Sequence, residues 1–317
     1  MSVQHEAYLY QGETGFVDAA RSFVDEGTAA GEAVLVATSA AQIEALRSAV
    51  ASPEDVRFAD MAALGRNPTR IISVWRKFVR DCVAAGRGFR GIGEPVWADR
   101  AAAELVECQR HEVLLNLAFA DGPPWRLMCP YNVSALPAAV IDEALASHPI
   151  VGAAGQRWAN GRYQPGLDRL DPALPPPPPE AVELAFAERD LAQLRDVVAS
   201  HAAMTTLDAD RIAELVLVVH EVAVNSIQHG GGSRVLRVWL ESGGVVCDVS
   251  DDGWVPDPLA GRETPPPGSR RGRGLWLANE WCDLVQWRSS LAGTQVRMHM
   301  APPLHDDGSS ESVLPER

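Results

Sequence analysis

Lysine is nearly missing from this sequence of 317 residues: Lys77 is the only one, and the other basic residues are arginines. Positive charge is scarce overall, with 28 Lys and Arg against 42 Asp and Glu and a formal net charge of -14. A surface that binds nucleic acid by neutralising phosphates is therefore not expected. Cysteine is also sparse. Cys82, Cys108, Cys129, Cys247 and Cys282 are odd in number, widely spaced and without a Cys-x-x-Cys pair, so neither a disulfide framework nor a zinc site is indicated. No apolar run approaches the roughly 20 residues needed to cross a bilayer, and no basic segment followed by an apolar core opens the chain. The expectation is a cytoplasmic protein with no membrane partner.

What is present is ordinary globular material, 46% hydrophobic and 22% charged, in a chain long enough for two cores. The sharpest break is Asp171-Pro172-Ala173-Leu174 followed by Pro175 to Pro179. Consecutive prolines continue neither a helix nor an interior strand and favour an extended polyproline spacer. The expected organisation is a first domain over 1–165, a Pro-rich linker over 166–180, a second domain over 181–301 and a disordered polar tail over 302–317.

In the first region, strand-like runs at Ala7 to Tyr10, Ala33 to Thr38, Val56 to Phe58 and Trp125 to Met128 alternate with helical patterns. The helices are Phe16 to Glu26, Ala40 to Val50, Ile71 to Ala85, Ala101 to Phe119 and Ala138 to Ser147. Such alternation favours an α/β domain with a largely parallel sheet. Past the linker the pattern predicts helices at Ala181 to Ala202 and Asp208 to Gln228, then strands at Arg234 to Glu241 and Val245 to Ser250. A helix beginning near Gly274 and strands at Leu284 to Trp287 and Thr294 to Met300 complete it. Ser242-Gly243-Gly244 and Ser290 to Gly293 read as turns between paired strands, which gives an α/β sandwich with helices on one face of a mixed sheet.

The chemistry-bearing residues lie in this second region. Glu221 and Asn225 are four apart on the predicted helix and share one face, where a carboxylate can accept a proton and an amide oxygen can help hold Mg²⁺. The strand Val245 to Ser250 runs into Asp251-Asp252-Gly253, placing a carboxylate at a strand end beside a glycine. Arg271-Gly272-Arg273-Gly274-Leu275 is a glycine-rich loop opening a helix, where exposed amides favour phosphate. Gly293-Thr294 begins the last strand.

Taken in order, Glu221-x-x-x-Asn225, Asp251-x-Gly253, Gly272-x-Gly274-Leu275 and Gly293-Thr294 resemble the N box and three glycine boxes of the GHKL superfamily of ATPases and kinases. That resemblance implies a Bergerat-type α/β sandwich that binds ATP with Mg²⁺. It implies Asn225 as a magnesium ligand, Glu221 as general base and Asp251 as the acceptor for the adenine amino group, with Gly253 beside it. Gly272 and Gly274 would line the phosphates, and Thr294 would support the adenine end; Arg270, Arg271 and Arg273 either offset the phosphate charge or form a solvated arginine cluster. The segment from Trp254 to Arg271 would be the nucleotide lid.

The string His220-Glu221-Val222-Ala223-Val224-Asn225-Ser226 and the compact domain look most like the anti-sigma serine kinase branch. Its members phosphorylate a serine of a STAS-type anti-anti-sigma partner and bind a sigma factor. The alternative is an ATP-occupied switch that sequesters either partner without phosphotransfer. An atypical sensor histidine kinase fits less well, because Ser200-His201-Ala202 lacks the acidic residue that normally follows a phosphoacceptor histidine. Trp254 in place of a small residue, and the doubled charge of Asp251 and Asp252, depart from the anti-sigma pattern.

In the first region, Tyr10-Gln11-Gly12-Glu13-Thr14-Gly15 sits where a RecA-like domain carries its phosphate loop, but has no Gly-Lys-Ser/Thr. Strings at His5 to Tyr10, Gly91 to Trp97, His111 to Val113 and Cys129 to Asn132 resemble the MEDS sensory domain, a degenerate RecA-like relative. The resemblance implies a three-layer α/β domain that senses a small organic ligand. Glu94, Glu112, Cys129 and Tyr131 are candidates to line its pocket; polar groups satisfied at strand and helix ends are the plainer reading. The sequence leaves oligomeric state open, a homodimer included.

Overall fold

A computed structural model describes residues 3–167, 173–265 and 273–302. Residues 168–172 of the predicted linker, the arginines Arg270 and Arg271 with Gly272, and the predicted tail from residue 303 lie outside the described residues.

The first domain runs β1 (Val3–Tyr10), α1 (Gly12–Ala29), β2 (Ala33–Thr38), α2 (Ala40–Ala49), β3 (Val56–Asp60), α3 (Met61–Leu64), α4 (Ile71–Ala84) and β4 (Phe89–Gly93). It continues with α5 (Ala102–Ala118), β5 (Trp125–Asn132), α6 (Ala138–Ser147), β6 (Ile150–Ala153) and β7 (Gln156–Ala159). The strands form one sheet in the order β3-β2-β4-β5-β1-β6-β7, parallel except for the β6–β7 pair. Both faces are covered, which is why β2 reads as the unbroken apolar run Ala33 to Thr38. On one face Phe16, Ala20, Phe23 and Val24 of α1, spaced at helical period, pack on Val34, Val36, Ile92 and Met128. On the other, Ile72, Trp75 and Phe78 of α4 join Leu114 and Leu115 of α5 over Leu35, Leu127 and Tyr131. Two cores on opposite faces of one sheet make the three-layer α/β domain expected.

The pattern analysis missed β4 because its residues include Gly91 and Gly93, which carry little strand signal. The reason for Gly91 is Trp75: a Cβ added there would stand 2.5 Å from the indole ring. The short strands β6 and β7 were also unforeseen.

The second domain contains β8 (Val182–Ala185), α7 (Leu191–Ala202), α8 (Ala209–His229), β9 (Arg234–Glu241), β10 (Gly244–Asp251), α9 (Arg273–Trp281), β11 (Leu284–Ser290) and β12 (Gly293–Met300). Its sheet order is β11-β12-β10-β9-β8, and every neighbouring pair is antiparallel, so the expected mixed sheet is corrected to an antiparallel one. The expected helix from Ala181 is also corrected. Residues Val182–Ala185 instead add an edge strand to β9, from Val182 beside Val238 to Ala185 beside Val235. The Phe186 amide continues the pairing to the Arg234 carbonyl at 3.1 Å, and the helix starts only at Leu191. Satisfying the open edge of β9 outweighs the modest helix propensity of Glu183, Leu184 and Ala185.

The helices α7, α8 and α9 cover one face of this sheet through Leu194, Val198, Leu215, Val219, Val222 and Ala278. The opposite face is polar yet buried, because the first domain and the proline segment lie on it. Arg288 Nη2 pairs with Glu107 of α5 at 2.8 Å, and Arg297 Nη2 donates to the Pro175 carbonyl at 2.9 Å. The proline segment is therefore packed against the sheet rather than a free spacer, with Leu174 buried.

Candidate nucleotide site

The helix α8 is opened by Asp208, whose carboxylate accepts from the Arg211 amide at 2.8 Å, an N-cap that fixes where the helix starts. Its apolar stripe of Leu215, Val218, Val219, Val222 and Ala223 is turned to the sheet, which leaves Glu221 and Asn225 half-buried on the flank one turn apart. The start of α9 meets this flank. A Cβ on Gly274 would overlap Asn225 Nδ2 and come within 3.3 Å of the Glu221 carbonyl, so any other residue would displace the Asn225 amide. Arg273 is exposed at the first position of α9, and Leu275 is half-buried against Gly261 of the preceding segment.

Asp251 ends β10 opposite Thr294, the second residue of β12. Its Oδ1 accepts from the Gly253 amide at 2.7 Å, which turns the chain sharply after the strand. Thr294 Oγ1 donates to the Gly253 carbonyl at 2.8 Å and lies 2.7 Å from Ser289 Oγ. Asp252 points elsewhere: its Oδ2 accepts from the Ser233 amide at 2.8 Å, tying down the glycine turn after α8. The doubled charge in the sequence thus splits in direction, Asp251 towards the Gly253 turn and Asp252 towards Ser233. Trp254 is exposed.

The fold therefore brings together Glu221, Asn225, Gly274, Asp251, Gly253 and Thr294 around the junction of α8, α9, β10 and β12, with Arg273 and Leu275 on α9. Gly272 lies outside the described residues. Among the described residues, no side chain hydrogen-bonds the Glu221 carboxylate or the Asn225 amide. Free oxygen donors of this kind suit Mg²⁺, so the residues present fit the ion that the family implies.

Family comparison accounts for both halves. The model for the histidine kinase-like ATPase domain matches residues 184–300, and that for MEDS, the methanogen/methylotroph DcmR sensory domain, matches residues 4–149. The chain joins a MEDS domain to a histidine kinase-like ATPase domain. A solved structure of the RsbU and RsbW domains of Rv1364c from Mycobacterium tuberculosis is similar over 39% of this chain and 33% of that one. Its identity is 17% and its TM-score 0.30, a likeness too low to bear on fold or function. No curated protein matches the chain.

Three residues outside the expected boxes link the ATPase domain to the MEDS domain. Asn67, fully buried, donates from Nδ2 to the Asn279 carbonyl of α9 at 2.9 Å and accepts on Oδ1 from the Val285 amide at 3.4 Å. Asn279 in turn donates to the Gly261 carbonyl at 2.8 Å. Leu259, in the segment expected to form the lid, packs against the MEDS core. Ion pairs Arg66–Asp283 at 3.1 Å and Arg70–Glu280 at 3.6 Å flank this contact. A single asparagine in a loop carries no sequence signal, so this hub was not legible beforehand.

Within the MEDS domain, only Gln11 separates the end of β1 at Tyr10 from the start of α1 at Gly12. That junction is a single residue long and carries no lysine. A cavity of about 690 Å³ adjoins it, lined among others by Tyr8, Gln11, Asp18, Arg126 and Arg157. The candidate pocket residues Glu94, Glu112, Cys129 and Tyr131 are not among its lining and are all buried. Glu94 accepts from the Tyr10 hydroxyl at 2.6 Å, and burial pushes its carboxyl up to about 7. No helix among the described residues is long and apolar enough to cross a membrane.

Proposed function

We propose that the chain is a cytoplasmic signalling regulator of the anti-sigma serine kinase type, a Mg-ATP-dependent serine/threonine protein kinase whose ATPase domain is controlled by the MEDS domain. The observation that carries this reading is the pair Glu221 and Asn225 on one flank of α8, uncommitted among the described residues and facing the glycine start of α9. A module that only binds nucleotide needs Asn225 and Asp251 but has no use for a base.

In the proposed reaction Glu221 takes the proton from a partner serine as its oxygen bonds to the γ-phosphorus of ATP. The bond from that phosphorus to the β,γ-bridging oxygen breaks and ADP leaves. Asp251 accepts from the adenine amino group, and Arg273 with the amides opening α9 holds phosphate charge. Magnesium, held with the help of Asn225, would neutralise charge on the phosphates. The partners in this reading are a STAS-type anti-anti-sigma protein as substrate and a sigma factor as the alternative binding partner.

Control by the MEDS domain is supported by its contacts. Asn67 holds the carbonyl of Asn279 on α9, the helix whose first turn closes on Asn225, and Leu259 of the lid segment rests on the MEDS core. A small organic ligand in the 690 Å³ cavity would act through that packing.

The test is single-turnover transfer of the γ-phosphate of Mg-ATP to serine-bearing anti-anti-sigma proteins from the same genome. Transfer by the natural chain and its loss in Glu221→Gln support the kinase. Binding of Mg-ATP and of a partner without transfer favours the sequestering switch.

A further inference from the structure

Four polar side chains from four separate segments meet inside the MEDS domain. His5 comes from β1, Glu112 from α5, Cys129 from β5 and His148 from the residue after α6; all are buried, and their ligand atoms lie within 4.8 Å of one another. His5 Nε2 is 3.0 Å from Glu112 Oε2 and 3.3 Å from Cys129 Sγ. Glu112 Oε2 is 3.6 Å from Cys129 Sγ and 3.3 Å from His148 Nε2.

Proton accounting around this cluster leaves it short of donors. Asn116 Nδ2 donates to the Ser147 carbonyl at 2.8 Å and the Glu112 carbonyl at 3.2 Å, which fixes the amide and leaves Oδ1 facing His5 Nδ1 at 3.2 Å. That oxygen only accepts, so His5 Nδ1 carries a proton. His148 Nδ1 lies 2.7 Å from the Ala144 carbonyl, which also only accepts, so it too is protonated. In its neutral form each ring therefore presents a bare Nε2 to the centre. Two nitrogen lone pairs, a carboxylate and a sulfur then converge with one S–H proton among them, and the Tyr131 hydroxyl beside Glu112 is the other donor at hand. His148 Nε2 is buried, and Glu112 Oε2, 3.3 Å away, is not placed to form a regular hydrogen bond with it. Acceptors turned on one another in a dry interior repel unless a cation lies between them.

We propose that His5 Nε2, His148 Nε2, the Cys129 thiolate and one Glu112 oxygen bind a single tetrahedral divalent metal ion of the zinc class. Bonds of about 2.0–2.3 Å in a tetrahedron put neighbouring ligand atoms roughly 3.3–3.7 Å apart, close to the separations above. Thiolate and carboxylate together cancel a 2+ charge, so the buried site is neutral once the Cys129 proton has left to solvent. Asn116 and the Ala144 carbonyl orient the two rings through their Nδ1–H groups, the outer-shell arrangement typical of metal-bound histidine. A thiolate and two imidazoles favour zinc over magnesium or calcium, which prefer oxygen.

The full chain, stripped with a chelator and titrated with Co²⁺ as the probe, tests this. One equivalent should give the strong visible absorption of four-coordinate cobalt and a near-ultraviolet thiolate-to-cobalt band, both removed by zinc and unaffected by excess Mg²⁺. Cys129→Ser should lose the thiolate band, and His148→Gln should weaken cobalt binding by more than about tenfold. X-ray absorption of the zinc-loaded natural chain covers the case in which those variants do not fold, and should find one sulfur and three nitrogen or oxygen neighbours. A weak six-coordinate spectrum, a thiolate band that survives Cys129→Ser, or a zinc shell with no sulfur or several would overturn the proposal, leaving a histidine–carboxylate ion pair as the account of the cluster.

Discussion

In the ATPase domain, Glu221 and Asn225 stand half-buried on a helix flank with nothing among the described residues to satisfy them, while in the MEDS domain His5, Glu112, Cys129 and His148 are sealed inside and face one another. The first arrangement leaves polar groups in contact with water until a ligand comes, at little energetic cost. The second has already removed them from water, so each must find its partner within the fold. A site for a large, exchanging nucleotide and a site for a small, enclosed ion thus differ in what the empty protein must tolerate. The same contrast applies to Glu94, whose buried carboxyl is perturbed by its surroundings.

The largest effect expected is at the open site. Glu221→Gln should lower single-turnover phosphotransfer by about two to four orders of magnitude while ATP affinity, read by calorimetry, stays unchanged. A parallel loss of affinity would mean that Glu221 belongs to nucleotide binding, and the contrast between a waiting base and a bound ligand would fail.

Asp251→Asn comes next. A charge-assisted hydrogen bond contributes about 1.5–3 kcal/mol, so calorimetry should find ATP held roughly ten- to a hundredfold more weakly. Unchanged affinity would remove the adenine from the end of β10.

The enclosed side is sharpened by Glu94. Because its folded-state value, about 7, lies above the ordinary 4.5, the folded protein holds this proton more tightly than the unfolded chain. Its contribution to stability is therefore present below pH about 4.5 and is lost as pH rises through about 7. Chemical denaturation should show the natural chain losing up to about 2 kcal/mol between pH 5 and 8 relative to Glu94→Gln. Parallel pH profiles for the two would show that burial does not perturb this group.

The smallest effect concerns the link between the halves. Asn67→Ala leaves the Val285 amide and the Asn279 carbonyl short of a partner and should cost about 1–2 kcal/mol. Hydrogen exchange should rise in α9 and at the start of β11 and stay unchanged in α7. Faster exchange throughout the chain would make Asn67 a general core residue instead of a coupling point.

The alternating apolar patterns were enough to read the parallel sheet of the MEDS domain, since strands such as β2 are buried on both faces and their composition says so. The helices α4, α5 and α6 likewise matched their expected spans closely. Where reading failed, a contact distant in sequence had decided the outcome. Val182 to Ala185 became a strand because β9 offered an edge, and β4 kept its glycines because Trp75 fills the space beside them. The proline run was legible as a break between two domains, but its seat on Arg297 was not.

By itself the sequence was enough to propose the ATPase boxes, because each is a local device: two residues one helical turn apart, a carboxylate ending a strand, a glycine opening a helix. Their chemistry follows from spacings of four residues or fewer. Only the tertiary structure decided the cluster of His5, Glu112, Cys129 and His148. Its members come from positions 5 to 148, and their side chains meet because the parallel register sets β1 beside β5 while α5 crosses above them. No spacing rule spans such distances. A lone histidine and a lone cysteine acquire a joint chemistry only once packing has taken the water away from both.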